Sequence, residues 1–287
     1  MGTTRLSAEG AVGRGLSPEI WQAHGFIGGN FYDPSRMGFF FDDFADAQAL
    51  ADGDTMKYAV HNDGGTLGPC ADVDLSEGEF GILRFTPQAA DNDSLAIQLG
   101  GGIGNLVKID DTAGENGVVA FEARIKTATI TTGDLRWFVG LAETGCADDD
   151  AIFADNAATF GDTDYIGFMG KEASGVNVIR VFHKASGTQD AEDTGDDIAL
   201  STWIKLGFVY DPHAHSTELI KFYVDGAECT NFGDVRCDAT DLADDTNFPA
   251  GEELTPCINI KGGATVAATD YFDVDWIAVG QGFTGGI

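Results

Sequence analysis

Phe121–Lys126 reads FEARIK. Phe121, Ala123 and Ile125 alternate with Glu122, Arg124 and Lys126. Successive side chains of a strand point to opposite faces, so this spacing predicts a strand with one apolar and one charged face. The next segment, LRWFVGLAE at Leu135–Glu143, repeats the pattern with Leu135, Trp137, Val139 and Leu141 on one side. Upstream lie FGILRFTP and SLAIQLGG; downstream come YIGFMG, VNVIRVFHK, WIKLGFVYD, LIKFYVDG, PCINIKG and VDWIAVGQ. About ten strands are expected, separated by Gly, Asp and Asn loops, with no helical periodicity between them. Parallel βαβ architecture needs those helices and is excluded. What remains is an all-β chain, an antiparallel β-sandwich of the jelly-roll kind. Within YVDG, Asp225-Gly226 is a hairpin turn, since Gly accepts positive φ at no steric cost.

The last strand carries an ambiguity. DYFDVDWIAVGQ, Asp270–Gln281, holds Asp273 and Asp275 two residues apart, hence on one side of the strand. Two such carboxylates suit a glycosidase pair, a calcium ligand set or a solvated edge. Trp137, Trp203 and Trp276 read as buried aromatics, because aromatic burial dominates such interiors.

Composition agrees with an all-β chain and limits its partners. The 287 residues include 39 Gly and 20 Phe, at 43% apolar content, enough for a core. The formal net charge is −31. In residues 1–36, Arg5, Arg14 and Arg36 balance Glu9, Glu19 and Asp33, so the excess lies in residues 37–287. Such a field repels nucleic acid and anionic membrane. The five cysteines, Cys70, Cys146, Cys229, Cys237 and Cys257, form no CxxC pair and no zinc spacing. They suit free thiols in a protein folded in a reducing cytosol, with a Cys229–Cys237 pair left open. No apolar signal core opens the chain and no segment reaches membrane-spanning length, so classical export is not expected.

Residues 1–36 read as an extended N-terminal arm, and residues 37–287 as the sandwich. Ser17 and Pro18, in SPEIWQAHG, predict one short helical turn. Trp21, Phe26 and Phe31 give the arm apolar anchors, for its own domain or for a neighbouring subunit. Thr144–Tyr165, Ala185–Asp197 and Asp234–Glu253 are acidic and are expected as surface loops.

FFFDDF, FEARIK, WIKLGFVYDP…LIKFYVDG and VDWIAVGQ occur in an order that resembles the concanavalin A-like lectin and glucanase sandwiches, including laminin-G domains. The resemblance spans roughly residues 39–281 and implies that fold. In the glucanase relatives the last-strand aspartate resembles a calcium ligand completed by carbonyls, and Asp275 matches it; calcium takes six to eight oxygens.

Activity does not carry over with the fold. A retaining glucanase needs two carboxylates about 5–5.5 Å apart, which this family places in a Glu–x–Asp–x–x–Glu strand. No stretch of this chain has that pattern. No Ser/His/Asp or Cys/His set is evident, the two histidines of DPHAHSTE lack a third metal ligand, and GGGIGN lacks the Lys and helix of a phosphate loop.

An enzyme-like sandwich without its catalytic strand, free cysteines, an anchored arm and acidic loops together resemble virion proteins of tailed bacteriophages. The implied function is a non-enzymatic capsid decoration protein on the virion surface, made in the host cytoplasm. Its expected partners are the major capsid protein and copies of itself, without nucleic acid or membrane. A carbohydrate-binding module for surface glycans is the alternative, and an exposed aromatic platform would mark it. A glycoside hydrolase stands third.

Overall fold

The computed structural model describes residues 15–24, 26, 37–45, 50–51, 57–62, 65–69, 81–87, 94–99, 106–109, 117–127, 135–145, 164–173, 176–185, 188–214, 219–230, 248–263 and 270–282. These residues form two antiparallel sheets with one short helix, α1 (Pro18–Trp21). The first sheet runs β14 (Ala227–Glu228), β13 (Ile220–Val224), β12 (Ile204–Tyr210), β7 (Val119–Thr127), β16 (Phe272–Gly282), β4 (Leu83–Pro87), β3 (Gly65–Pro69). Strand β1 (Met37–Asp42) joins it by pairing with β16. The second runs β11 (Thr188–Asp197), β10 (Val176–Ala185), β9 (Tyr165–Ala173), β8 (Arg136–Glu143), β15 (Glu253–Lys261), β5 (Ser94–Leu99), β2 (Tyr58–Asn62), with β6 (Val107–Lys108) on β15.

Alternation builds the core between the sheets. Phe121, Ala123 and Ile125 of β7 and Trp137, Val139 and Leu141 of β8 point into one apolar cluster, with Phe85, Phe168, Phe208 and Phe222. Phe121 and Phe208 stack across neighbouring strands at 5.4 Å. A buried Phe is worth roughly 1.5–3 kcal/mol over an exposed one, so these rings are a main source of cohesion. The Asp225-Gly226 turn closes the β13–β14 hairpin with φ of 51° and 81°, the positive pair that a two-residue type I′ turn requires.

A β-bulge sets the direction of the last strand. Pairing of β16 with β7 slips between Val274 and Trp276, leaving Asp275 as the extra residue. The side-chain phase therefore shifts by one. Phe272 and Val274 face the core before the bulge, and Ile277 and Val279 face it after. Trp276 is thereby turned to the outer face, where it joins a separate cluster with Ala278. Without the extra residue, one of the two apolar pairs would point to solvent.

Two acidic stretches differ from the surface loops expected. Thr188–Asp197 forms strand β11 along β10. Pairing with an otherwise open β10 edge outweighs the poor strand propensity of its Asp residues, and an acidic strand at the sheet's end discourages further pairing. At the end of the third stretch, Phe248 is fully buried in the core, its ring 5.2 Å from His183 and 5.4 Å from Tyr210. Among the described cysteines, Cys229 and Cys257 are free and buried. Cys70, Cys146 and Cys237 lie outside the described residues.

Trp137 and Gly170 are cross-strand partners on β8 and β9, and a side chain on Gly170 would overlap the indole. Gly170→Ala should lose about 1–3 kcal/mol by overpacking. Urea unfolding checks this; an unchanged midpoint would show that the indole can move aside.

Candidate functional site

The most elaborate arrangement of polar groups lies on the outer face of the first sheet. On β7, Glu122, Arg124 and Lys126 face away from the core, as the FEARIK pattern requires. They are nonetheless shielded: Glu122 is fully buried and Arg124 only 4% exposed. A charge removed from water must be paired or shift its protonation, and the fold supplies partners for all three.

Glu122 stands between Gly207 of β12 and Ala278 of β16. These small residues, with Ala120 and Gly280, leave a hollow that the arm fills. Ile20, Trp21 and Phe26 pack there with Val209, Tyr223 and Trp276. Trp21 meets Phe26 and Phe39 edge to face, at 5.5 and 5.3 Å. The carboxylate Oε2 accepts the Trp21 indole N–H at 2.7 Å and the Ser17 backbone N–H at 3.0 Å. Pro18 opens the helix, but the Ser17 hydroxyl makes no capping bond. It accepts instead from the Lys205 ammonium at 2.8 Å, and Lys205 also reaches the Gly15 carbonyl. One carboxylate and one ammonium of the sheet thus hold the arm by its backbone and its tryptophan.

Asp273 and Asp275 share this outer face but have different partners. Asp273 is fully buried, opposite Arg84 on β4 and Lys126 on β7. Arg84 grips it with two hydrogen bonds of 2.7 and 2.9 Å, and the Lys126 ammonium stands at 3.5 Å. Asp275, on the bulge, accepts from the Arg124 guanidinium. Arg124 and Lys126 both lie over the Trp203 ring, at 4.5 and 4.4 Å, and Arg84 lies over Tyr271 at 3.6 Å. The two aspartates are anchors in a charge ladder.

The calcium expectation at Asp275 does not fit this arrangement. A cation there would sit beside the guanidinium that already holds the carboxylate. Among the described residues no three His, Cys, Asp or Glu side chains gather as a metal set. Asp273, the other aspartate of the pair, is the more deeply buried of the two.

Of the expected arm anchors, Trp21 and Phe26 are 1% and 5% exposed and sit on their own sandwich. Phe31 lies outside the described residues. Glu122, Lys205 and Ser17 were not expected as site residues. Their sequence signal is the run of small residues, Ala120, Gly207, Ala278 and Gly280, at outward positions: a strand face with no side chains of its own implies a covering element.

The outer face of the second sheet is also closed. Phe138, Ala142, Tyr165, Met169, Phe182 and Cys257 form a buried cluster there. All four tryptophans are buried, Trp203 most exposed at 9%. A cleft of about 460 Å³ at one end is lined by Lys108, Glu143, Thr144, Gly251, Glu252 and Glu253. Burial there raises the Glu143 carboxyl above its usual range, helped by the negative charges of Asp164 and Glu252.

No family model matches the chain, and no curated protein matches it in sequence. Solved structures do match in shape. Basic winged bean lectin, solved with Tn-antigen, superposes with a TM-score of 0.50 at 10% identity, over 87% of this chain and 100% of the lectin. A protein of unknown function from Shewanella oneidensis MR-1 gives 0.48 at 11% identity, over 91% and 99%. A carbohydrate esterase from Shiga toxin-encoding bacteriophage phi24B gives 0.41 at 15% identity, over 78% and 89%. The chain is thus an all-β protein with the concanavalin A-like, lectin-type sandwich fold. At these identities the likeness is one of fold alone.

Burial raises the Glu122 carboxyl above its usual value, against the pull of the Ser17 and Trp21 N–H groups and the Lys205 charge. The unfolded chain keeps the ordinary value, so the native state is the stronger proton binder between the two. Wild type should gain stability, relative to the non-titrating Glu122→Gln variant, as pH falls from alkaline values through the raised pKa towards the ordinary one. Thermal melts across that range check it; a constant difference would place Glu122 in a wet site.

Asp273→Ala should cost about 1–3 kcal/mol, because it removes the buried charged acceptor of two Arg84 hydrogen bonds. Asp275→Asn should melt below wild type, and by the same interval in calcium and in EGTA. A wild-type melt that drops in EGTA to that of the variant would restore the calcium assignment.

Proposed function

We propose that this chain is a structural, non-catalytic protein of an assembled particle: a decoration protein on the outer surface of a tailed-bacteriophage head. Its partners are the major capsid protein and other copies of itself. The observation that supports the non-lectin part is the burial of all four tryptophans. An aromatic platform for a sugar ring needs an exposed face, and no tryptophan offers one. The aspartate pair that could have served a glycosidase is tied up with Arg84, Lys126 and Arg124. The acidic surface favours a position outside the shell, away from packaged nucleic acid. The mechanism is mass action: copies that bind the assembled shell and not its dissociated parts stabilise the shell.

A carbohydrate-binding role is the second reading. It is supported by the winged bean lectin likeness in fold. It has one surface feature in its favour: Phe41 is 43% exposed, its ring tilted against Trp276 at 6.0 Å.

Purified particles from the source should contain the protein in many copies, and particles stripped of it should lose their shell at lower temperature. The isolated protein should release no reducing sugar from laminarin, lichenan, agarose or carrageenan, and should bind no glycan on an array. Absence from particles, together with saturable glycan binding lost in Phe41→Ala, would reverse the order of the two readings. Turnover abolished by changing Glu143 would make the chain a hydrolase.

A further inference from the structure

The arm and the face beneath it form a plug and a socket. Glycines hollow the socket. A Cβ on Gly280 would stand 2.8 Å from the Phe26 ring and 3.2 Å from the Trp21 ring; one on Gly207 would stand 2.5 Å from Ile20 Cδ1; one on Gly226 would stand 3.0 Å from the Glu19 carboxylate. The contacts combine apolar area with a polar key, because Glu122 accepts from both Ser17 and Trp21. Such a site recognises one segment in one register.

The tether of the plug is long for its task. Phe26 packs on Gly280, and Gly280 pairs with Phe39 of β1. Residues 27–36 therefore connect points of the chain that lie side by side. A segment of that length can span roughly 33–36 Å when extended. Charge also permits transfer of the plug: the chain carries −31, but residues 15–26 hold a single charged side chain, Glu19, and residues 1–36 together are neutral, so the arm approaches an acidic neighbour with little of that repulsion.

We propose that the socket also accepts the arm of a second copy of this chain, so that crowded copies exchange arms and interlock. Every contact in the exchanged form is one already made within the chain, which makes exchange a low-cost route to association. In dilute solution the chain's own arm wins, because its tether holds it at an effective concentration of about millimolar. Crowding on a surface removes that advantage. The proposal concerns chains alone, so it can fail while the particle assignment stands.

Two complementary variants test it. Gly280→Val fills the socket and frees a native arm. Trp21→Ala weakens the arm and leaves a native socket. Each alone should run as a monomer in size-exclusion chromatography with light scattering. Mixed, they should give a species of twice the mass, in which the free arm of the first occupies the socket of the second. A labelled peptide of residues 15–26 should bind Trp21→Ala saturably, should not bind Gly280→Val, and should dissolve the mixed dimer. Circular dichroism confirms that each variant is folded; Gly280→Ala replaces Gly280→Val if it is not. Folded variants that remain monomeric when mixed overturn the proposal, whether or not the peptide binds.

Discussion

Glu122 is a carboxylate held out of water on the outward side of a central strand, and the layer above it is organised around that fact. Its position is forced by alternation: Phe121 and Ile125 must face the core, so Glu122 must face out. Small neighbours at Gly207 and Ala278 give it no shelter of its own. The shelter comes from a segment about a hundred residues earlier in the chain, whose Ser17 and Trp21 N–H groups bind the carboxylate. The helical turn at Pro18 places these two donors together. The apolar contacts of Ile20, Trp21 and Phe26 then exclude water and strengthen the bonds they surround.

Both sheets bury charge, and the two signs are buried together. Among the described residues five cations are buried, Arg124, Arg136, Lys184, Lys205 and Lys261, and so are six carboxylates, Asp42, Glu122, Asp164, Asp270, Asp273 and Asp275. Arg84 and Lys126 are committed to Asp273. Buried charges of the two signs nearly balance, so the surface keeps the acidity that the net charge of −31 implies. A surface of that kind keeps copies apart in solution, so association has to be earned at a specific, neutral contact. The arm meets that description, which links the electrostatics of the chain to its proposed place in an assembly.

Much of the fold was legible in the sequence, and the reasons are local. FEARIK, LRWFVGLAE and the Asp225-Gly226 turn each report their own backbone through period and turn chemistry, and each has the expected form. Ser17-Pro18 marked the helical turn. What was illegible depends on contacts between distant segments. Nothing local shows that Asp275 is a bulge residue, because a bulge is a mismatch between two strands. Nothing in Asp273 or Asp275 names Arg84 or Arg124 as partners, so a last-strand aspartate could pass for a calcium ligand. Thr188–Asp197 reads as an acidic loop until the edge of β10 is there to pair with it. Trp21 and Phe26 were recognisable as anchors, but only the assembled sheet reveals the glycine-lined hollow that receives them.

The central claim is that Glu122 seats the arm through the Trp21 indole, and indole hydrogen exchange reads that bond directly. In wild type, the Trp21 Nε1–H resonance should exchange far more slowly than in a free peptide. In Glu122→Ala it should collapse towards the free-peptide rate while the Trp137 indole, in the inter-sheet core, keeps its protection. Rapid exchange of the Trp21 indole in wild type, or unchanged protection in Glu122→Ala, would contradict the account.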